Sequence, residues 1–146
     1  MSSVLLISVC AWAVAQLLKV TIGLAREKRL VLRYFVTSGG MPSAHSAMVS
    51  ALATAAAITQ GLNSVAFAIA AVVAMVVMYD AAGVRLAVSR QSVILDRVVR
   101  ELLEKRPRDE VGRDLRRFIG HTPFQVIAGA VLGFLTAWLW LTIGGS

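Results

Sequence analysis

The residues of this chain with chemistry to offer are few, and they fall at the ends of apolar runs. His45 stands in "PSAHS", Pro42 to Ser46, and His121 in "GHTPFQV", Gly120 to Val126. In the first motif Ser43 is placed to cap a helix, so capping accounts for the serine and the proline but not for the histidine. The free N–H groups and positive dipole end of such a turn attract an anion, and a histidine there can protonate a departing oxygen. In the second motif Thr122 as N-cap, Pro123 at the first helical position and Gln125 three residues beyond the cap make a capping box. Gln125 also lies four residues from His121, close enough along a helix face to hydrogen-bond the imidazole if the helix reaches back that far.

Three further groups can join them. Asp80, in "MVVMYDAAGVR", closes a long apolar run and is the acidic residue inside a span. It reads either as a bridge to Arg85 or another base, or as a catalytic carboxylate, since charges at membrane depth pair or serve a function. Lys19 and Arg26 are two helical turns apart and can point to one side, as anion ligands or as anchors that snorkel to the interface. Two histidines and one carboxylate make a poor zinc set, and no metal or organic cofactor is expected. A serine hydrolase built on Ser43 or Ser46 lacks the "GxSxG" elbow, whereas helix ends rich in Lys and Arg suit a phosphate.

The elements that must position these groups are set by composition. Of 146 residues, 58% are hydrophobic and 16% charged, the balance of a membrane protein. Apolar runs of spanning length cover Ser3 to Leu24, Ala44 to Thr59, Ser64 to Val84 and Pro123 to Ile143. The second is short and must borrow length from its loops. The first lacks a basic leader and a cleavage site, so it reads as a retained helix. Cys10, alone, offers no intrachain disulfide.

The net charge of +7 lies in two inter-helix segments, one around Arg26, Lys28, Arg29 and Arg33 and the other from Arg85 to Gly120. No aromatic residues interleave with them as a stacking surface, so nucleic acid is not expected as a partner. The positive-inside rule turns both segments to the cytoplasm and both termini outward, in a multi-pass protein of the cell (inner) membrane. Within 85–120, the repeat of Ile94, Leu95, Val98, Val99, Leu102 and Leu103 predicts an amphipathic helix on the bilayer or bundle, or an oligomer contact. The expected fold is all-α, a single domain over 1–146: a polytopic bundle of about four transmembrane helices plus an amphipathic interfacial helix. Every polar group named above then falls at the cytoplasmic end, able to meet on one face.

With "QLLKV" ahead of them, "GGMPSAHSA", "YDAAGVR" and "GHTPFQVIAGAVLG" resemble the divergent PAP2-related membrane proteins, distant relatives of type 2 phosphatidic acid phosphatases and vanadium haloperoxidases. The resemblance covers nearly the whole chain. Against the wider superfamily pattern, Lys19 and Arg26 keep the first spacing, with Glu27 in place of proline, and "PSAH" carries Ala44 in place of glycine. His121 is the counterpart of the nucleophile and Arg116 or Arg117 of the phosphate-binding arginine, with Arg85 a rival. Gln125 stands where the orienting acid belongs.

The resemblance implies a metal-independent phosphatase of lipid phosphates or polyprenyl (di)phosphates at the cytoplasmic face, working through a phosphohistidine. His121 attacks phosphorus, His45 serves the leaving group, and Lys19, Arg26, Ser43, Arg85 and Arg116 or Arg117 hold the phosphate oxygens. Asp80 supplies the charge that Gln125 cannot. The alternative is a non-catalytic binder or carrier of anionic lipid headgroups, which the glutamine favours; a structural subunit of a membrane complex is a third reading. A homo-oligomer is compatible with so small a bundle, whose site needs help to exclude water.

Overall fold

Helices form where the apolar runs predict them. The computed structural model describes residues 3–27, 41–84 and 122–144 and, singly, 91, 94, 95 and 98. The order is α1 (Ser3–Glu27), α2 (Ala44–Gln60), α3 (Val65–Tyr79) continued by a π-helical turn (Asp80–Val84), and α4 (Pro123–Ile143). The fold is all-α. Segments Ser3–Ala25, Val65–Gly83 and Pro123–Ile143 are long and apolar enough to cross a membrane.

Two of the apolar runs are not long, uninterrupted α-helices. The second is short, as its sequence implied: α2 has 17 residues against 25 in α1 and 21 in α4. At ~1.5 Å per residue it is about 6 Å shorter than α4. Its alanines and serines suit close packing, and it runs through the middle of the bundle against α1, α3 and α4. The third run is not one uninterrupted α-helix either, because its α-helical part ends at Tyr79 and the π turn carries it on. Of the expected amphipathic helix, Gln91, Ile94, Leu95 and Val98 are helical and exposed; the rest of 85–120 lies outside the described residues.

Small residues at four-residue spacing make the core. Ile7, Ala11, Ala51, Ala55 and Ala137 cluster near one end of the bundle, with Val4 and Leu141 against them. Nearer the other end Ala15, Ala44 and Ala47 cluster, with Leu132 packed on them. The residue order in these clusters makes α2 and α4 parallel and sets α1 antiparallel to both.

Close approach is greatest between α2 and α4. A Cβ on Gly129 would collide with the Ser43 carbonyl oxygen and one on Gly133 with that of Ala47, so only glycine admits the α2 backbone there. Small residues let helix backbones approach in lipid, where dispersion and interhelical hydrogen bonds replace the hydrophobic effect. One such bond is present: Ser50 Oγ donates to the Ala130 carbonyl oxygen at 2.7 Å. Outward-facing Leu17, Ile69, Val76, Ile127 and Phe134 are exposed, as lipid-facing side chains are.

Candidate functional site

The polar end of the bundle is built by a mismatch of lengths. Gly129 packs on Ser43, yet it lies nearly two turns, about 9 Å, inside the start of α4. Ala15, which clusters with Ala44 and Ala47, lies about 18 Å before the last residue of α1. At the opposite end the three helices stop at similar heights beyond the cluster of Ile7, Ala55 and Ala137. The deficit of α2 is therefore concentrated at the polar end, and α2 begins below the tips of α1 and α4.

Ser43 caps this sunken start. Its φ and ψ are −70° and 113°, outside the helical region, and its Oγ accepts the Ser46 N–H at 3.4 Å. The Ser46 hydroxyl donates to the same oxygen at 3.0 Å. The Ser43 N–H donates to the Gln125 carbonyl oxygen at 3.1 Å, tying the start of α2 to the first turn of α4. Ser43 and Ser46 are both fully buried.

Lys19 is buried beside this level. Ile7, Ala11, Ala15, Lys19 and Gly23 form one buried stripe along α1 at four-residue spacing, so the lysine continues the packed face and not the lipid-facing one. It is 4% exposed, which rules out the snorkelling anchor. One turn beyond Ala15, about 6 Å, it stands at the height where α2 starts. Among the described residues no hydrogen bond or ion pair to its ammonium group is found. An ammonium held at such a place is stabilised by an anion.

The other expected groups are distributed differently. His45 is at the same height but exposed, about 100° around the first turn of α2 from Ser46. Asp80 is half-buried on the π turn, which packs against α4 as well as extending α3. Both residues make polar interactions. Gln125 Oε1 accepts the Thr122 N–H at 3.1 Å, the reach-back half of the expected capping box. Arg26 lies on α1, its side chain outside the described residues, as are His121, Arg85, Arg116 and Arg117.

What sequence reasoning missed is Ser46 as a partner of Ser43, and the two glycines that hold α2 in place. "GAVLG", Gly129 to Gly133, carried the signal for the latter, since small residues four apart mark a helix–helix contact in lipid.

Among the described residues no group of three or more His, Cys, Asp or Glu is placed to hold a metal ion. At the start of α2 stand the Ser43–Ser46 hydroxyl pair and the N–H groups of the first turn, with Lys19 of α1 at about the same height. Donors of these kinds suit an oxyanion.

The model of the Divergent PAP2 family matches residues 1–136. The "Uncharacterized membrane protein YuiD" of Bacillus subtilis (strain 168) is 34% identical over 140 residues, covering 90% of this chain and 89% of that protein. No solved structure matches the chain. Extent and identity together establish that this multi-pass membrane protein belongs to the Divergent PAP2 family.

Proposed function

We propose that the protein is a phosphatase of membrane lipid phosphates or polyprenyl (di)phosphates, acting at the cytoplasmic face through a phosphohistidine. The observation that carries this reading is buried Lys19 at the height of the Ser43–Ser46 hydroxyl pair, below the helix tips. Family membership is consistent with it. The cluster takes the phosphate oxygens, with Arg26, Arg85 and Arg116 or Arg117 as further ligands.

A ring nitrogen of His121 forms a P–N bond while the P–O bond to the lipid alkoxide, or to the polyprenyl monophosphate when the substrate is a diphosphate, breaks. His45 gives its proton to that leaving oxygen, then takes one from the water that attacks phosphorus. The P–N bond breaks, and inorganic phosphate leaves. Exposure of His45 suits a proton that must reach water. Asp80 balances the imidazolium charge. A cytoplasmic active site with both termini outside follows from the basic segments alone.

Phosphate release from a panel of lipid phosphates in detergent tests the proposal. His121→Ala is expected to abolish it and His45→Ala to lower it by about 10²-fold or more, with the thermal midpoint unchanged in both. Full turnover in His121→Ala would refute the mechanism.

A second reading, a binder of anionic headgroups without turnover, is favoured by Gln125. One lone pair of its Oε1 is occupied by Thr122, and an amide cannot neutralise an imidazolium as a carboxylate does. Tight orthovanadate binding with no lipid phosphate cleaved would support it.

A further inference from the structure

Hydroxyls within the helices of this bundle commonly donate to a backbone carbonyl oxygen, Ser50 across to α4 and others within their own helix, whereas Ser46 does not. Ser8, Thr59, Thr136 and Thr142 each donate to the carbonyl oxygen four residues back, at 2.7–2.8 Å, and Thr21 to the one three back at 2.9 Å. Such bonds satisfy a hydroxyl inside lipid without help from another helix. Ser46 instead spends its proton on another hydroxyl, that of Ser43.

The consequence appears on comparing the two serine caps. Ser64, which starts α3, accepts the Phe67 N–H at 3.1 Å and donates to the Gly61 carbonyl oxygen at 2.7 Å, so its proton and a lone pair are both used. Ser43 accepts twice, from the Ser46 N–H and the Ser46 hydroxyl. A serine oxygen has two acceptor sites and one proton. Its acceptor sites are filled, and its proton has no acceptor among the described residues. Both side chains are fully buried, where an unmatched donor is costly.

We infer that Ser46 is a positioning residue, which fills the acceptor sites of Ser43 and so commits the Ser43 proton to an oxyanion bound at the start of α2. The inference rests on the proposed anion site and adds a residue to it that acts through another. It also gives the site a sign: a hydroxyl held as donor favours a ligand oxygen bearing lone pairs over one bearing a proton.

The test is a double-mutant cycle on the full chain in detergent, with inorganic orthovanadate as the probe. Ser46→Ala is expected to raise the vanadate Kd roughly three- to tenfold, and to raise KM for phosphate release more than it lowers kcat. In the Ser43→Gly background, chosen because glycine is tolerated at an N-cap, Ser46→Ala should change Kd no further. A merely structural serine would weaken binding equally in both backgrounds. Ser50→Ala, which deletes the neighbouring hydroxyl that bonds α4, controls for packing and should leave Kd unchanged. An unaltered Kd in Ser46→Ala, or losses that add in the double variant, would overturn the inference while leaving the phosphatase reading intact. Wild-type protein that binds no vanadate and releases no phosphate would overturn both.

Discussion

Two helix starts in this bundle carry a serine cap, and they differ in what is left over. At the α2–α3 turn Ser64 closes its hydrogen bonds within the turn, between Gly61 and Phe67. Gly61, at φ 89°, is the left-handed residue that lets the chain reverse there. At the opposite end Ser43 holds the backbone and still presents a buried donor, with Lys19 at the same height. One residue type in one capping role thus gives a finished turn in one place and, in the other, a hydroxyl pair with one proton left over among the described residues. The surroundings make the difference: a second hydroxyl at Ser46, a cation on α1 and neighbours that overtop the helix start.

The comparison holds only while α2 is seated on α4, so the most damaging change is to unseat it. Gly133→Leu would drive a side chain into the Ala47 backbone, an overpacking that no rotamer relieves. We expect no folded, monodisperse protein by size-exclusion chromatography and circular dichroism. Recovery of a native-like thermal midpoint would show that α2 can shift, and that the sunken start is not fixed by this contact.

Next in size is Lys19→Met, which removes the charge that sets the Ser43 end apart. It should cost about 10²-fold or more in phosphate release or vanadate affinity, with a thermal midpoint equal to or above that of the wild type, since a buried charge is replaced by an apolar chain. A stability loss with normal affinity would make Lys19 a structural residue. The smallest effect belongs to the finished cap: Ser64→Ala should lower stability by about 1 kcal/mol and leave vanadate affinity untouched. A changed affinity would mean that the two ends communicate through α2.

Much of the architecture was legible because it is local. Apolar runs fix the helices, and Ser43 and Thr122 mark starts that the backbone adopts. The burial of Lys19 was less legible, though its signal was present. Hydropathy at a helix end is equally compatible with an anchor and a ligand, while the spacing Ile7, Ala11, Ala15, Lys19 puts the lysine on the stripe of small residues. The π turn at Asp80 and the partnership of Ser46 with Ser43 were not legible, because each is decided by tertiary contacts. His45 shows the limit of arguing from height alone. Topology brought it to the correct end of the bundle, but the side of the helix it occupies depends on which face of α2 packs inward.

The sunken start of α2 bears on ionic strength. A cluster of Lys and Arg on a membrane surface loses its attraction for anions as salt rises, because counter-ions crowd within about 8 Å at physiological concentration. The partial positive charge at the first turn of α2 lies roughly 9 Å inside the start of α4, flanked by apolar helices that counter-ions enter poorly. For the proposed oxyanion ligand its pull therefore persists where a surface patch of the same charge is silenced, and retention at the helix start is less sensitive to salt than attraction by the basic segments of the sequence.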